Sequence, residues 1–248
     1  HQALEAFRQR DWSVYAFGGL PRDLAYYGAY SACPRDLDFV VDGVSTDEII
    51  SKFQSNVSNK NRFGGVKLCF GSWNVDVWPL DRTWAFRNYP EQWNSSPDAS
   101  ALPETTFLNI EAIAVGLNPV TGRGRVVYEK NFFSSLRKRL LDINFEPNPN
   151  PDYCVLRSLL MASRFQFRMS KSLVKYIVDT VSHFNISHFI QIQLQNYGEV
   201  KLQERWIGNV LYEMDSYLES GSPQPFELSA IRGKQKDWAA DSQLDLFG

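Results

Sequence analysis

The residues from Asp36 to Asp42, DLDFVVD, place two aspartates at the start of an apolar run that is typical of a β-strand. Side chains two positions apart on a strand point to the same face, so Asp36 and Asp38 are expected side by side. Neighbouring carboxylates repel each other and are costly to bury without a partner. The chain is therefore expected to form a sheet with one face that binds a cation at this strand.

Mg²⁺ suits this spacing, because it prefers carboxylate oxygens and takes the rest of its shell from water and phosphate. Asp76 is the candidate for a third ligand, since Val75 and Val77 would point inward together and Asp76 the other way. Three carboxylates facing one cleft would hold two Mg²⁺ ions about 3.5–4 Å apart, the arrangement used in phosphoryl transfer. Asp36, Asp38 and Asp76 are thus predicted as metal ligands and catalytic residues. The alternative for such a pair of aspartates is a solvated strand end.

A glycine pair, Gly18-Gly19, stands between a predicted strand and a predicted helix. Glycines there let the backbone approach a phosphate, and the helix N-terminus directs its N–H groups at it. Arg22 would bind the triphosphate through its planar fork, and Asp23 would hold Arg22 or the start of the helix. A glycine pair alone is more often a tight turn, but the aspartates that follow favour a nucleotide site.

The chain alternates strand and helix signals up to about residue 145 and carries only helix signals beyond it. Strands are predicted at 12–17, 37–41, 65–70, 74–80 and 124–129, helices at 21–30 and, from the capping box Ser45–Glu48, at 45–57, and a short helix or strand at 107–117. Further helices are predicted at 132–141, 153–167, 171–184 (capped by Ser170) and 199–218, a mobile loop at 87–104 and a loose tail from Gly221. These signals predict a head (1–145), a helical neck and body (146–220) and a C-terminal tail (221–248).

Composition sets limits on partners and compartment. The 248 residues carry a net charge of −2, so contact with nucleic acid has to come from a local basic patch. No apolar run reaches the roughly 18 residues of a membrane span, and no signal peptide is visible. Cys33, Cys69 and Cys154 lack zinc spacing and fit reduced thiols, which favours a cytoplasmic protein.

The stretch GGLPRDLAYYGAYSACPRDLDFVV resembles the head of the bacterial poly(A) polymerase and class II CCA-adding tRNA nucleotidyltransferase family, within the DNA polymerase β-like superfamily. VDVWPLDR resembles its third-carboxylate strand, LNIEAIAV its FTINAMAY segment, and CVLRSLLMASRFQF its neck helix. The resemblance runs from about residue 12 to residue 215. It implies an α/β (α+β) nucleotidyltransferase head with a mixed sheet, followed by an all-helical neck and body.

The resemblance also implies a reaction and further binding residues. Two Mg²⁺ ions would be the cofactor, an NTP the donor, and an RNA 3′ end, tRNA included, the acceptor. Arg82, Arg157 and Arg164 match positions in the family's motifs and are predicted to bind the nucleotide.

Three departures from the family pattern bear on substrate selection. Thr105, Thr106 and Phe107 replace the Arg-Arg-Asp that helps to position the sugar of the incoming nucleotide. The Glu-Asp-x-x-Arg that edges CTP and ATP falls at 150–154, NPDYC, with neither its carboxylates nor its arginine in register. The helical body is also much shorter. Catalysis is expected to be retained, whereas templated selection of C and then A is not, which disfavours a housekeeping CCA-adding enzyme.

Several further features have both a functional and a structural interpretation. Six cations of the predicted helices would either line a groove for an RNA end or form only a solvated helix face: Arg137, Lys138, Arg139, Arg157, Arg164 and Arg168. Stacking on a base, or core packing, would explain Trp73, Trp78, Trp84 and Trp93, which are predicted around the cleft. No partner at ligand or catalytic spacing is predicted for His1, His183 and His188.

The C-terminal pentapeptide resembles the motif with which bacterial proteins bind the replication sliding clamp. It comprises Gln243, Leu244, Asp245, Leu246 and Phe247. These residues would bind the clamp or pack on the body.

Three functional hypotheses follow. The first is an Mg²⁺-dependent, template-independent nucleotidyltransferase that adds NMP to an RNA 3′ end. The second keeps the chemistry but transfers to a protein or a small molecule, as toxin and defence enzymes of the superfamily do. The third is a non-enzymatic, clamp-tethered module with a vestigial site.

Overall fold

The computed structural model describes Phe7 and residues 12–28, 36–61, 64–93, 97–120 and 124–228, with only the backbone of residues 36, 118–120 and 124. Within these ranges the chain forms two compact units. The first contains the residues up to Thr106 together with Ile110–Phe132, and the second contains Phe107–Asn109 and the residues from Phe133 onward.

The first unit is built on a mixed seven-stranded sheet of order β3-β4-β5-β2-β1-β6-β7. Within this sheet, the described strands pair in parallel only between β2 and β5. The strands are β1 Ser13–Phe17, β2 Asp36–Asp42, β3 Val57–Lys60, β4 Val66–Phe70, β5 Trp73–Pro79, β6 Ile113–Val120 and β7 Gly124–Glu129. The helices are α1 Gly19–Tyr27, α2 Thr46–Lys52 and α3 Trp84–Asn88, with 3₁₀ turns at Gln54–Asn56, Leu80–Arg82, Pro90–Trp93, Ala99–Thr105 and Asn109–Glu111.

Alternation along the strands separates the two faces of this sheet. Leu37, Phe39 and Val41 of β2 join one buried cluster, whereas Val40 joins another. The first cluster also contains Phe7 and Ile49, so α2 lies on that face. Asp38 is two positions from Val40 on the same strand, so it lies on the face of Val40, opposite to the face of the first cluster.

Residues 80–93 and 97–105 pack over the Val40 face. Leu80, Phe86, Ala99 and Leu102 are buried in the Val40 cluster, and a succession of short helical turns carries them. The prediction of a mobile loop at 87–104 is therefore wrong for its described residues, 87–93 and 97–104. Its apolar side chains are spaced singly among Pro, Asn and Ser, which hides the pattern from a periodicity argument.

The second unit is mainly helical. It contains α4 Phe132–Lys138, α5 Pro151–Phe165, α6 Lys171–Val181, α7 Ile186–Tyr197 and α8 Glu204–Glu219, with a small parallel pair formed by β8 Leu140–Leu141 and β9 Arg168–Met169. Helices α5 to α8 bury Leu159, Ile177, Phe189 and Ile207 completely. No helix among the described residues is both long and apolar enough to cross a membrane.

The structure corrects the sequence-based description of this unit in two places. Helix α7 was not predicted, and Phe226 of the supposedly loose tail is buried and exchanges backbone hydrogen bonds of 2.8 Å with Met169. The second unit also contains the residues from Phe133 onward, where Ser135 bonds to Asn109, and the division at 145 and 220 stays a prediction. The tail pentapeptide, 243–247, lies outside the described residues.

Candidate active site

The candidate site lies where β2 and β5 run side by side. Asp38 pairs with Asp76 in the parallel register, and Asp36, at the start of β2, pairs with Asn74. The alternation predicted for Asp76 is found, because Val75 and Val77 are fully buried in the opposite cluster and Asp76 is partly exposed. Two carboxylates thus stand at the same level on one face; the side chain of Asp36 lies outside the described part of the chain.

A lysine faces this pair from the next strand. Lys67 of β4 is opposite Asp76 in the antiparallel register, and its Nζ lies 3.7 Å from Asp76 Oδ2. Both side chains are partly open to solvent, at 40% for Lys67 and 24% for Asp76. A cation at this distance relieves the repulsion between the carboxylates. The sequence reasoning missed Lys67, although its alternation with the buried Val66 and Leu68 would have placed it on this face.

The glycine turn reaches the same end of the sheet. Ala16 pairs with Phe39, so Gly18 follows β1 beside the end of β2 that carries Asp38. Gly18 has φ 66°, a conformation that favours glycine, and it forms the N-cap of α1. The structure therefore brings Gly18, Gly19, Asp38 and Asp76 to one edge, with backbone N–H groups of α1 directed there.

Arg22 is buried behind the glycine turn rather than exposed. Its Nε donates to Asp23 Oδ1 at 2.7 Å, and its Nη1 donates to Glu111 Oε1 at 2.5 Å. The side chains of Arg22, Asp23 and Glu111 are only 5%, 12% and 8% exposed. In this conformation Arg22 ties α1 to the turn before β6, and its binding of phosphate stays a prediction. Glu111 was missed, because nothing in the local pattern of LNIEAIAV shows its partner.

The remaining predicted arginines are carried by other elements, and their binding of nucleotide stays a prediction. Arg82 is 54% exposed and has its Nε 3.4 Å from Asp81 Oδ2. Arg157 and Arg164 are half-buried and lie seven residues apart, on one face of α5 in the second unit, with the Arg164 guanidinium 5.1 Å from the centre of the Phe165 ring.

The tryptophans do not form one cluster. Trp78 and Trp93 pack with the Val40 cluster, Trp73 with the opposite one, and Trp84 contacts Tyr89 at 5.6 Å between ring centres. Core packing therefore accounts for Trp73, Trp78 and Trp93.

The residues that replace family motifs have structural roles. The Thr106 hydroxyl donates to the Pro103 carbonyl, and the Phe107 ring contacts Tyr176. Asp152 Oδ2 lies 2.8 Å from Nε2 of His188, so the expectation that His188 has no partner is wrong. These side chains are engaged internally, and the loss of templated base selection stays a prediction.

The carboxylate chemistry fits a hard divalent cation. Asp38 and Asp76 offer oxygen ligands from adjacent strands, which is the donor set that Mg²⁺ accepts. Among the side chains that the structure describes, no group of three or more His, Cys, Asp or Glu is gathered. A third carboxylate would have to come from Asp36.

Comparison with known proteins shows the fold. No protein-family model and no curated protein sequence matches the chain. Among solved structures, the Thermotoga maritima CCA-adding enzyme complexed with tRNA matches at 17% identity and a TM-score of 0.60, over 86% of this chain and 50% of that one. A CCA-adding enzyme in its apo form matches at 16% and 0.59, over 91% and 52%. A tRNA nucleotidyltransferase complexed with a primer tRNA and an incoming ATP analogue matches at 18% and 0.57, over 94% and 63%.

This chain thus spans about half the length of the first two structures. The likeness confirms the predicted fold class, a mixed-sheet head followed by a helical body. It confirms the resemblance read from the sequence at the level of the fold.

Proposed function

We propose that this chain, folded as the CCA-adding enzymes are, is a metal-dependent, template-independent nucleotidyltransferase that adds NMP from an NTP to an RNA 3′ end. One observation carries the proposal: Asp38 and Asp76 stand opposite each other on parallel strands at the edge where the Gly18 turn begins. The neighbours in fold were solved with tRNA, ATP or CTP, which supports NTP and tRNA as the substrates to test first.

The chain's own residues divide the work of the reaction. Asp36, Asp38 and Asp76 would hold two Mg²⁺ ions, which when bound supply charge neutralisation and a more acidic attacking hydroxyl. The backbone of Gly18 and Gly19 receives the triphosphate. Asp76 takes the proton of the RNA 3′ hydroxyl as its oxygen bonds to the α-phosphorus, and the bond from that phosphorus to the β-phosphate oxygen breaks, releasing pyrophosphate.

The buried cluster of Arg22, Asp23 and Glu111 positions the glycine turn. Both carboxylates accept from the Arg22 guanidinium, so the cluster fixes the start of α1 relative to β6. Preorganised backbone donors lose little freedom on binding phosphate, which is the main requirement of phosphoryl transfer.

Base selection is expected to be relaxed. Asp152 is paired with His188 and Cys154 is buried, so the region where the family reads CTP and ATP presents other chemistry. We expect one NTP, or several NTPs with similar efficiency, to be added without the switch from C to A.

The test uses the purified chain with Mg²⁺, each α-labelled NTP in turn, and total RNA and total protein offered together. Label in RNA that disappears in Asp38→Asn and Asp76→Asn supports the proposal. Asp42→Asn is the matched control, because Asp42 is exposed at the far end of the same strand. Label in protein instead would favour the second hypothesis, transfer to a protein acceptor.

The non-enzymatic alternative makes the opposite prediction. A vestigial site would give no label with any NTP, and the Asp38→Asn change would leave every property unaltered. Binding of the isolated sliding clamp to the full chain, lost on removal of residues 243–247, would then be the property to measure.

A further inference from the structure

Five cations are carried by chain segments of the second unit that meet around the β8–β9 pair. They come from the end of α4, from β9 and from the start of α6, and all five side chains are exposed: Arg137, Lys138, Arg139, Arg168 and Lys171. We call this set the basic edge. Sequence reasoning grouped four of them with Arg157 and Arg164, but it did not include Lys171.

Backbone contacts hold the basic edge together. Arg168 pairs with Leu140 in the parallel register, and its N–H donates to the Arg139 carbonyl at 3.0 Å. The Arg168 guanidinium donates through Nη2 to the Lys138 carbonyl at 3.3 Å. The cations of two chain segments 30 residues apart are therefore fixed beside each other.

Local stability explains only part of this arrangement. Arg137 and Lys138 occupy the last turn of α4, where a cation interacts favourably with the helix dipole. Arg139 has φ 50°, in the left-handed region where glycine is the unstrained residue at a helix end. Lys171 is the first residue of α6, where the dipole opposes a positive charge. Arginine and lysine at these two positions cost stability, which points to a role in binding.

Ion pairing does not account for the basic edge, although the Asp142 carboxylate lies on the same segments and accepts from the hydroxyls of Ser170 and Ser172. No ion pair joins any of the five to a carboxylate among the described residues, whereas the nearby exposed Lys175 is paired with Asp179 at 2.6 Å. The whole chain has a net charge of −2, so this edge is a local positive surface on a slightly acidic protein. Closely spaced, flexible cations suit the repeated phosphates of a nucleic acid.

We infer that the basic edge binds the phosphodiester backbone of the RNA acceptor. The inference rests on the proposed function for the identity of its partner. It supplies a binding surface on the second unit of a chain that spans about half the length of these enzymes of similar fold.

The test measures RNA binding as a function of salt. A fluorescent RNA hairpin with a single-stranded 3′ end is titrated with the full chain by fluorescence anisotropy at several KCl concentrations. The variant R139G/R168Q/K171Q removes three charges, and its slope of log K against log [KCl] should be shallower by about 2, since each phosphate contact contributes roughly 0.7. Its affinity at low salt should fall at least tenfold.

Two controls keep the result interpretable. K52Q/K60Q/R87Q removes three exposed cations of the first unit and should retain the wild-type slope. R139G alone should melt at or above the wild-type temperature, because glycine relieves the left-handed backbone, so loss of RNA binding in this variant would not reflect unfolding.

The outcomes separate this inference from the proposed function. Equal slopes for the two triple variants would overturn the inference that the basic edge binds RNA. Binding of an acidic polyglutamate peptide that RNA fails to displace would overturn it as well. If the wild type transfers no nucleotide to any RNA, the proposed function fails, and the binding measurement still decides the inference. If both hold, transfer to a trinucleotide acceptor should survive in R139G/R168Q/K171Q, while transfer to the hairpin weakens.

Discussion

The buried ion cluster behind the glycine turn allows a quantitative prediction. Glu111→Ala removes the acceptor of Arg22 Nη1 from a site where both side chains are less than a tenth exposed. Breaking a buried pair costs about 3–5 kcal/mol, because the remaining charge stays buried. Asp23 still accepts from Nε at 2.7 Å, so the lower end, about 3 kcal/mol, is expected. For a chain of this size that corresponds to a loss of roughly 6–12 °C in melting temperature.

Glu111→Gln separates charge from packing. The glutamine carbonyl still accepts from Arg22 at nearly the same position, but the hydrogen bond loses its charge assistance, for a cost of about 1–2 kcal/mol. Urea unfolding followed by tryptophan fluorescence measures the free energy of unfolding of each variant, and thermal scanning gives the melting temperatures.

The control is another glutamate of the same unit. Glu104 lies 3.9 Å from Lys130 with half of its side chain exposed, so Glu104→Ala should cost less than about 1 kcal/mol. The reasoning is refuted if Glu111→Ala costs no more than Glu104→Ala, or if the alanine and glutamine variants at 111 are equally unstable.

Three further predictions follow from the head and the body. Lys67→Met removes a cation 3.7 Å from Asp76, so Mn²⁺ or Mg²⁺ should raise the melting temperature of this variant at a several-fold lower metal concentration than the wild type needs. Metal binding that is unchanged or weaker in the variant would contradict this. Gly65→Ala would place a Cβ 2.7 Å from Trp78 Cε3, so we expect about 1–3 kcal/mol of destabilisation and altered tryptophan emission in urea titrations. An unfolding curve equal to that of the wild type would show that the backbone at this position shifts without cost. Burial raises the pKa of Tyr176 to about 12, so its stabilising contribution is complete below pH 10 and is lost as the pH rises towards 12. The difference in absorbance at 295 nm between the wild type and Tyr176→Phe should show this late ionisation. A difference centred near pH 10 would contradict it.

Local sequence rules are sufficient to predict much of the head. The alternation in NVDVW placed Asp76 correctly, and the capping box at Ser45 and Glu48 is formed in the structure, with the Ser45 hydroxyl accepting from the Glu48 N–H. The glycine turn after β1 was also correct, because φ 66° at Gly18 is a conformation that only glycine adopts readily. Each of these features depends on neighbours within a few residues.

Features that depend on distant partners could not be predicted. Glu111 meets Arg22 across 89 positions of sequence, and His188 meets Asp152 across 36. Phe226 is buried because it pairs with Met169, not because its own segment has a pattern. The packed segment at 80–105 belongs to the same class, since only the presence of Val40 and Ala114 beneath it makes its scattered apolar residues a core.

That packed segment has an electrostatic consequence for the carboxylates. Asp38 and Val40 share a face and are two positions apart, about 6.6 Å along the strand, yet Val40 is 1% exposed beneath an apolar covering. The covering is a wall of low dielectric constant beside a negatively charged edge that is open to water. Field lines from Asp38 and Asp76 spread poorly into that wall and are concentrated on the open side. The hydrophobic packing of the described residues within 80–105 therefore strengthens the attraction that an approaching cation experiences.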